Sequence, residues 1–412
     1  MKITRVEAIP LVVPISMIGP PPTMFGQTRA VFEFLLVRVE TDLGIAGYGE
    51  CLMYCNRPMQ VVVEDMIAPL VIGQDPADIT GLMHRVQRAT HQWGRQGLVM
   101  FAISAVDMAL WDIAGKAAGV PLYRLLGASP RRPLTPYASM APCFTPEIAA
   151  EQARSAVAAG YRHLKLHVGS EAEVRAARRA VGSDVRIIVD ANCRFTPNGA
   201  REFAARLKEY DVHWLEEPIF PPEDFRSLAR LREESGIAIA AGENAYTPLE
   251  FEAMFRARAV TYAQPSVIKV GGITEFRKIA ALAEMHGVEL RPQSFSIGPA
   301  FLATMHLLAA QPSPALIERP LCTAQGDLCG PATRVVDGVM HPPDGPGLGY
   351  DPDPDLVREF RTSDRTVERR PAPQLPAAPN GENHAGKGGS PADRGLVYLN
   401  QIIGRLSRRR AE

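Results

Sequence analysis

From residue 134 onward, short apolar runs that close on a polar or charged residue alternate with longer amphipathic stretches of helical period. The runs are 134–138 (LTPYA), 163–168 (HLKLHV), 186–192 (RIIVDAN), 212–218 (VHWLEEP), 237–243 (IAIAAGE), 260–264 (VTYAQ), 288–293 (VELRPQ) and 315–319 (ALIER). Polar residues near the ends of the second to eighth runs stand at 165, 190, 216, 243, 264, 293 and 318. They are separated by 25, 26, 27, 21, 29 and 25 residues, about the length of one βα unit. Eight such units without a long interruption predict a closed parallel barrel over residues 126–320. An open doubly wound sheet would also alternate, but it should carry a glycine fingerprint after a first strand, and none is present.

The first part of the chain has a different texture. Residues 32–40 (FEFLLVRVE) and 45–50 flank Thr41-Asp42-Leu43-Gly44, the pattern of a β-hairpin. Helical periodicity follows at about 58–72, 77–92 and 97–118, the last closed by Gly119 with Pro121 beyond it. Two strands and three helices predict an α+β capping domain over 1–125. The chain is expected to return to it over about 321–360, through a short strand in VVDGVMHPPDGPGLGY. The Pro/Gly segment 18–31 before the hairpin is long for a loop without a task. Residues 364–395 hold five prolines and five glycines, so 364–412 is expected to be a low-complexity, disordered tail. The fold class expected is therefore α/β: an eight-stranded parallel β/α barrel of the TIM type with an N-terminal α+β cap.

Composition narrows the function only by exclusion. Lys+Arg and Asp+Glu are both 45, a formal charge of zero, which removes the general attraction of a nucleic-acid or anionic-membrane binder. The six cysteines include no CxxC pair, so reduced thiols in a cytoplasmic protein are expected. Neither a secretory h-region nor an apolar run of the length a membrane span needs is evident, and a soluble chain is expected.

The chemistry should lie where barrel loops converge, at the C-terminal ends of the strands. Asp190 in VDAN, Glu216 in WLEEP and Glu243 in AGEN end consecutive strands. Converging carboxylates repel unless a cation neutralises them, and all-oxygen ligation suits Mg²⁺; the plain alternative is three acids that cap helices or pair with arginines. Glu217 should turn to the other side of its strand, to face the helices or support the ligands. In HLKLHV, alternation sends His163, Lys165 and His167 inward, the last two nearest the open end. Lys165 should keep the neighbouring imidazole neutral, so that His167, with a lowered pKa, acts as the base while Lys165 offers a fixed charge to a substrate carboxylate. The deeper His163 is expected to be structural.

Together these motifs resemble the enolase superfamily, in its mandelate racemase/muconate lactonizing enzyme branch. The resemblance covers about residues 1–360. It rests on the cap, ALWDIAGKAAG, Lys-x-His on the second strand, VDAN, WLEEP, AGEN, KVGG and the IER of the eighth strand. It implies Mg²⁺-dependent removal of the proton α to a carboxylate through an enediolate. Asp190, Glu216 and Glu243 match the metal ligands, and Lys165 and His167 occupy a Lys-x-Lys motif with His in the place of the second Lys. Asn192 matches a polar residue beside the metal, and Glu318 an acid that hydrogen-bonds the substrate carboxylate when neutral. In relatives the segments 18–31 and 53–57 lie over the barrel mouth, which makes Arg29, Tyr54, Asn56 and Arg57 candidate substrate contacts. Lys269 in the KVGG turn is expected to support the site or simply the turn. The partner expected is a small carboxylate, handled by an assembly of identical subunits.

The departures matter as much. Racemases of this branch carry a His–Asp dyad opposite the second strand. Here Gln293 and Ser266 fall at those positions, and neither titrates near neutrality. With one acid–base face, His167 could remove the α-proton and return a proton to a leaving β-hydroxyl, the dehydration of an acid sugar. Ring-opening cycloisomerisation or another isomerisation remains an alternative, as does a barrel without catalysis. The apolar Met24 and Phe25 in the cap loop leave room for a less polar carboxylate.

Overall fold

Eight parallel strands stand where the polar-ended runs predict them: Leu134–Ser139, His163–His167, Arg186–Asp190, Val212–Glu216, Ile239–Ala241, Tyr262–Ala263, Glu289–Leu290 and Ala315–Pro320. The first seven pair in sequence order, and the eighth pairs back onto the first from Ala315↔Leu134 to Pro320↔Ser139, curling the sheet into a barrel. This computed structural model describes residues 1–19, 21, 23–24, 27–28, 30–51, 56–143, 145–312 and 315–362. The candidates Arg29 and Tyr54, the apolar Phe25 and the expected tail 364–412 lie outside the described residues.

Local sequence explains how the helices begin. Thr145, Thr196, Asp224 and Thr247 each accept a hydrogen bond from a backbone N–H of the first turn that follows, and Ser170 forms a capping box with Glu173. Inside the barrel, Tyr137, Ile188, Trp214, Ala240 and Leu316 pack into an apolar floor. Trp214 meets Tyr137 edge-on, with centroids 5.7 Å apart and planes at 88°. His163 lies beside His213 at 5.9 Å. Burial and the nearby Arg186 and Arg291 lower the pKa of His163, which fits the structural role expected of it.

The cap sheet is built from Ile3–Ser16, Val31–Thr41 and Ala46–Cys51, with Thr323–Ala324 added beyond the barrel. The 14-residue first strand is absent from the sequence reading, because Pro10 and Pro14 argue against a strand. Their carbonyls accept from Thr362 and Gln325, away from the strand Val31–Thr41. In an antiparallel strand a residue's N and O point the same way, so the missing N–H of each proline costs no bond in the ladder with Val31–Thr41. The segment 334–340 folds as a turn closed between Val336 and Val339, and Met340 bridges to Leu134 of the first barrel strand.

Behind this sheet lies the helix Leu98–Ala118, apolar on nearly every face. It is long and apolar enough to cross a membrane, but most of it is buried inside the protein. Gly47 and Gly49 allow the close approach, because a Cβ on either would collide with the Ala109 or Ala105 carbonyl. Gly119, at φ +67°, ends the helix as its sequence predicts.

Candidate active site

Lys165 stands on the second barrel strand with its Nζ fully enclosed above the aromatic floor, 5.9 Å from the Tyr137 ring centroid. Three buried carboxylates surround the ammonium: Glu216 Oε1 at 2.7 Å, Glu318 Oε1 at 2.7 Å and Asp190 Oδ2 at 3.3 Å. Burial opposes charge on the amine, but Glu216, Glu318 and Asp190 outweigh it and hold its pKa well above the usual lysine range. Burial raises the pKa of Glu216 despite Lys165, whereas at Asp190 the charges of Lys165 and His167 overcome burial and hold the carboxyl low. Trp214 Nε1 donates to Glu216 Oε2 at 2.9 Å, and the Asn192 N–H donates to Asp190 Oδ1 at 2.8 Å.

The His167 ring is fixed at both nitrogens. Nδ1 lies 2.6 Å from the Met140 carbonyl, and Nε2 lies 3.1 Å from Asp190 Oδ2. A carbonyl oxygen can only accept, so Nδ1 carries a proton and Nε2 is the atom left for proton transfer. The expectation of a lowered pKa is overturned for the protein without a bound cation. Burial does lower it, but the adjacent Asp190 carboxylate, in contact with the ring, outweighs both burial and Lys165 and raises it. Alternation along the strand locates Lys165 correctly but says nothing of which neighbour touches the imidazole.

Backbone geometry re-aims the next acid. Glu217 follows the fourth strand at φ +38°, and Asn192 and Cys193 after the third strand sit at +47° and +55°. Left-handed non-glycine residues concentrated at two neighbouring strand ends mark a locally constrained site. The turn gives Glu217 a supporting position: Oε1 accepts from the Gly242 N–H at 2.9 Å, and Cys193 Sγ lies 3.6 Å from Oε2. Burial, followed by the charge of Glu243, pushes its carboxyl up to about 7. Lys269, nearly buried in the next turn, contributes an opposing charge there and donates its N–H to the Ser266 carbonyl at 2.8 Å.

Ser266 and Gln293 follow the sixth and seventh strands, and both are buried. Ser266 Oγ and Gln293 Oε1 lack hydrogen-bond partners among the described residues, as do both amide atoms of Gln264. Gln264 closes the sixth run, and the sequence reading gave it no role; its only signal was the polar end of an apolar run. Unpaired buried polar atoms at the catalytic end of a barrel are acceptors and donors available to a ligand or ordered water. Asn56 Nδ2 donates to the Leu11 carbonyl at 3.2 Å, and Arg57 is exposed on the helix Asn56–Val61.

Among the described residues, no three His, Cys, Asp or Glu side chains already form a metal-ligand cluster. Asp190 and Glu216 are instead turned onto Lys165. The donor chemistry nonetheless fits a hard divalent cation. Of the three expected ligands, Asp190 and Glu216 are buried beside one ammonium and Glu243 is half-buried after the fifth strand; the elevated pKa of Glu216 reflects burial that this single charge does not offset.

A nearly closed parallel barrel, an α+β cap and acids from consecutive strand ends beside a Lys-x-His strand define an enzyme of the enolase superfamily. Residues 8–127 match the family described as mandelate racemase / muconate lactonizing enzyme, N-terminal domain, and residues 148–356 match enolase C-terminal domain-like. The chain belongs to this mandelate racemase/muconate lactonizing enzyme family. It is 35% identical over 339 residues to the arabinonate dehydratase of Saccharolobus solfataricus, covering 79% of this chain and 90% of that one. It is 33% identical over 353 residues to the D-galactarolactone cycloisomerase of Agrobacterium fabrum, with 80% and 92% covered. A racemase from Streptomyces coelicolor, solved with bound magnesium, superposes with a TM-score of 0.79 at 31% identity, covering 87% of this chain and all of that one. This company makes the chain an enzyme, a lyase or an isomerase, rather than a barrel without catalysis.

Proposed function

We propose that the protein is a Mg²⁺-dependent acid-sugar dehydratase, removing the α-proton of a hydroxy acid and expelling its β-hydroxyl. The observation that supports this best is the one-sided acid–base set: His167, whose Nδ1 is held by Met140 and whose Nε2 is left for proton transfer, stands on the second strand, while Ser266 and Gln293, which do not titrate near neutrality, follow the sixth and seventh strands across the sheet order from it. Asp190, Glu216 and Glu243 would hold the cation, and a cation there supplies electrostatic stabilisation for charge developing on the substrate carboxylate.

The chain's own residues do the rest. Met140 fixes the ring of His167, so Nε2 takes the α-proton and then donates to the leaving hydroxyl on the same side. Lys165 holds positive charge where the enediolate forms, and Glu318 orients Lys165. Asn192, Ser266, Gln293 and Gln264 offer polar contacts to the sugar hydroxyls, and Arg57, with Arg29 and Tyr54, is the candidate for contacts from the cap. Lys269 supports Glu217 by its charge. The enzyme is assigned to the cytoplasm as a self-associating protein without nucleic-acid or membrane partners.

Cycloisomerisation is the second reading, favoured by the relative that carries that name and equally served by one acid–base face. The deciding experiment incubates the full chain with Mg²⁺ and a panel of aldonates, aldarates and their lactones, analysed by mass spectrometry and by NMR in D₂O. Loss of water is expected; a product of unchanged mass would select the isomerase. Neither turnover nor α-proton exchange on any acid of the panel would overturn both.

A further inference from the structure

Glu50, near the end of the cap strand Ala46–Cys51, is almost wholly buried. Its carboxylate accepts hydrogen bonds from the segment that follows the seventh barrel strand. Ser296 Oγ donates within 2.7 Å of Oε1 and 2.8 Å of Oε2, and the Ala300 N–H donates to Oε2 at 3.1 Å. Ala300 lies in the first turn of the helix Pro299–Ala309, so the carboxylate also occupies the positive end of that helix. Position 298 must be glycine for this approach, because a Cβ there would press on Glu50 Oε2. Burying a carboxylate merely to fill space is unfavourable beside an apolar side chain of the same size, so the arrangement calls for a positional role.

The same segment continues to the active site. The Ser296 N–H donates to the Ser294 carbonyl at 2.7 Å. Ser294 grips Glu318 twice, N–H to Oε2 and Oγ to the main-chain carbonyl, both at 2.8 Å. Glu318 Oε1 stands 2.7 Å from Lys165 Nζ, and Phe295 presents its ring edge-on to His167 at 6.4 Å. We propose that Glu50 is a positioning residue for the active site, fixing through Ser296 and Ser294 where Glu318 stands against Lys165. The inference rests on the assignment of Lys165 and Glu318 to the site, and its test is separable from that assignment.

The test uses the full chain with Ser296→Ala and Glu50→Gln, and Ser296→Thr as the variant that keeps the hydroxyl. Amide hydrogen exchange is followed at Ser294 and Ala300. Protection at Ser294, which does not touch Glu50, should fall together with that at Ala300 in the first two variants and return in Ser296→Thr. On a substrate that the wild type accepts, kcat should fall about tenfold, the loss of roughly one hydrogen bond to a charged group, with KM changed much less. Retained protection at Ser294 while Ala300 loses its own would overturn the relay. So would an unchanged kcat in folded Ser296→Ala. Should Glu50→Gln fail to fold, the two Ser296 variants decide. Should the wild type turn over no carboxylate, the functional reading fails and the exchange data still judge the relay.

Discussion

The Nε2 of His167 faces Asp190 Oδ2 at 3.1 Å, so the proposed base and a proposed metal ligand are in direct contact. In the protein without a bound cation this pairing favours imidazolium, since both ring nitrogens face acceptors. The base thus depends on what else Asp190 binds, and the proton-transfer atom and the metal set form one electrostatic unit.

Replacing the imidazole tests that unit directly. His167→Asn should leave the fold intact, since the side chain is a minor part of the core, and should cut turnover by about 10²–10⁴-fold. Wash-out of the substrate α-proton into D₂O, followed by NMR, should vanish with it. Undiminished wash-out in the variant would remove His167 as the base.

Lys165 is the common partner of Asp190, Glu216 and Glu318. Lys165→Met keeps the bulk but leaves three buried carboxylates without their ammonium. Breaking a buried pair on one side costs about 3–5 kcal/mol, and urea unfolding should report a loss of that order together with lost activity. Unaltered stability would mean that solvent or another cation already balances these acids.

Much of this was legible in the residues themselves. The even spacing of Lys165, Asp190, Glu216 and Glu243 predicts the barrel and its catalytic end, because each strand must finish where the loops converge. Other features have no local signature. The left-handed turn at Glu217 interrupts the alternation on which its orientation was argued, and the environment of His167 depends on a contact between strands. Glu50 reads as an ordinary hairpin residue because its partners, Ser296 and Ala300, lie hundreds of positions away. Pro10 and Pro14 hid the longest cap strand, since a sequence does not say towards which neighbour a proline nitrogen points.

Ser266 and Gln293 predict a stereochemical outcome. With Ser266 and Gln293 in place of a titrating pair, exchange should proceed on one configuration at the α-carbon and be absent on its mirror configuration. Proton NMR of the two epimers of an accepted acid sugar in D₂O measures this. Equal exchange of both epimers would reveal a second base and restore a two-sided racemase mechanism.

Asp107 of the core helix joins cap to barrel, its carboxylate accepting from the Thr274 N–H at 3.0 Å and from the Thr274 hydroxyl. Burial pushes its pKa up to about 7, with Thr274 opposing and the charge of Glu275 adding to the rise. A folded-state value above the unfolded one means that the native state binds the proton more tightly, so stability from this group is complete below about pH 4 and declines as pH rises towards 7. Asp107→Asn preserves the shape and is neutral at every pH; its amide can donate to the Thr274 hydroxyl while its oxygen still accepts from the Thr274 N–H. The variant should therefore gain on the wild type by on the order of 1–3 kcal/mol between pH 4 and pH 7. Thermal midpoints measured across that range for both proteins supply the comparison. A constant difference between them would show that Asp107 ionises in the folded protein as it does in the unfolded chain.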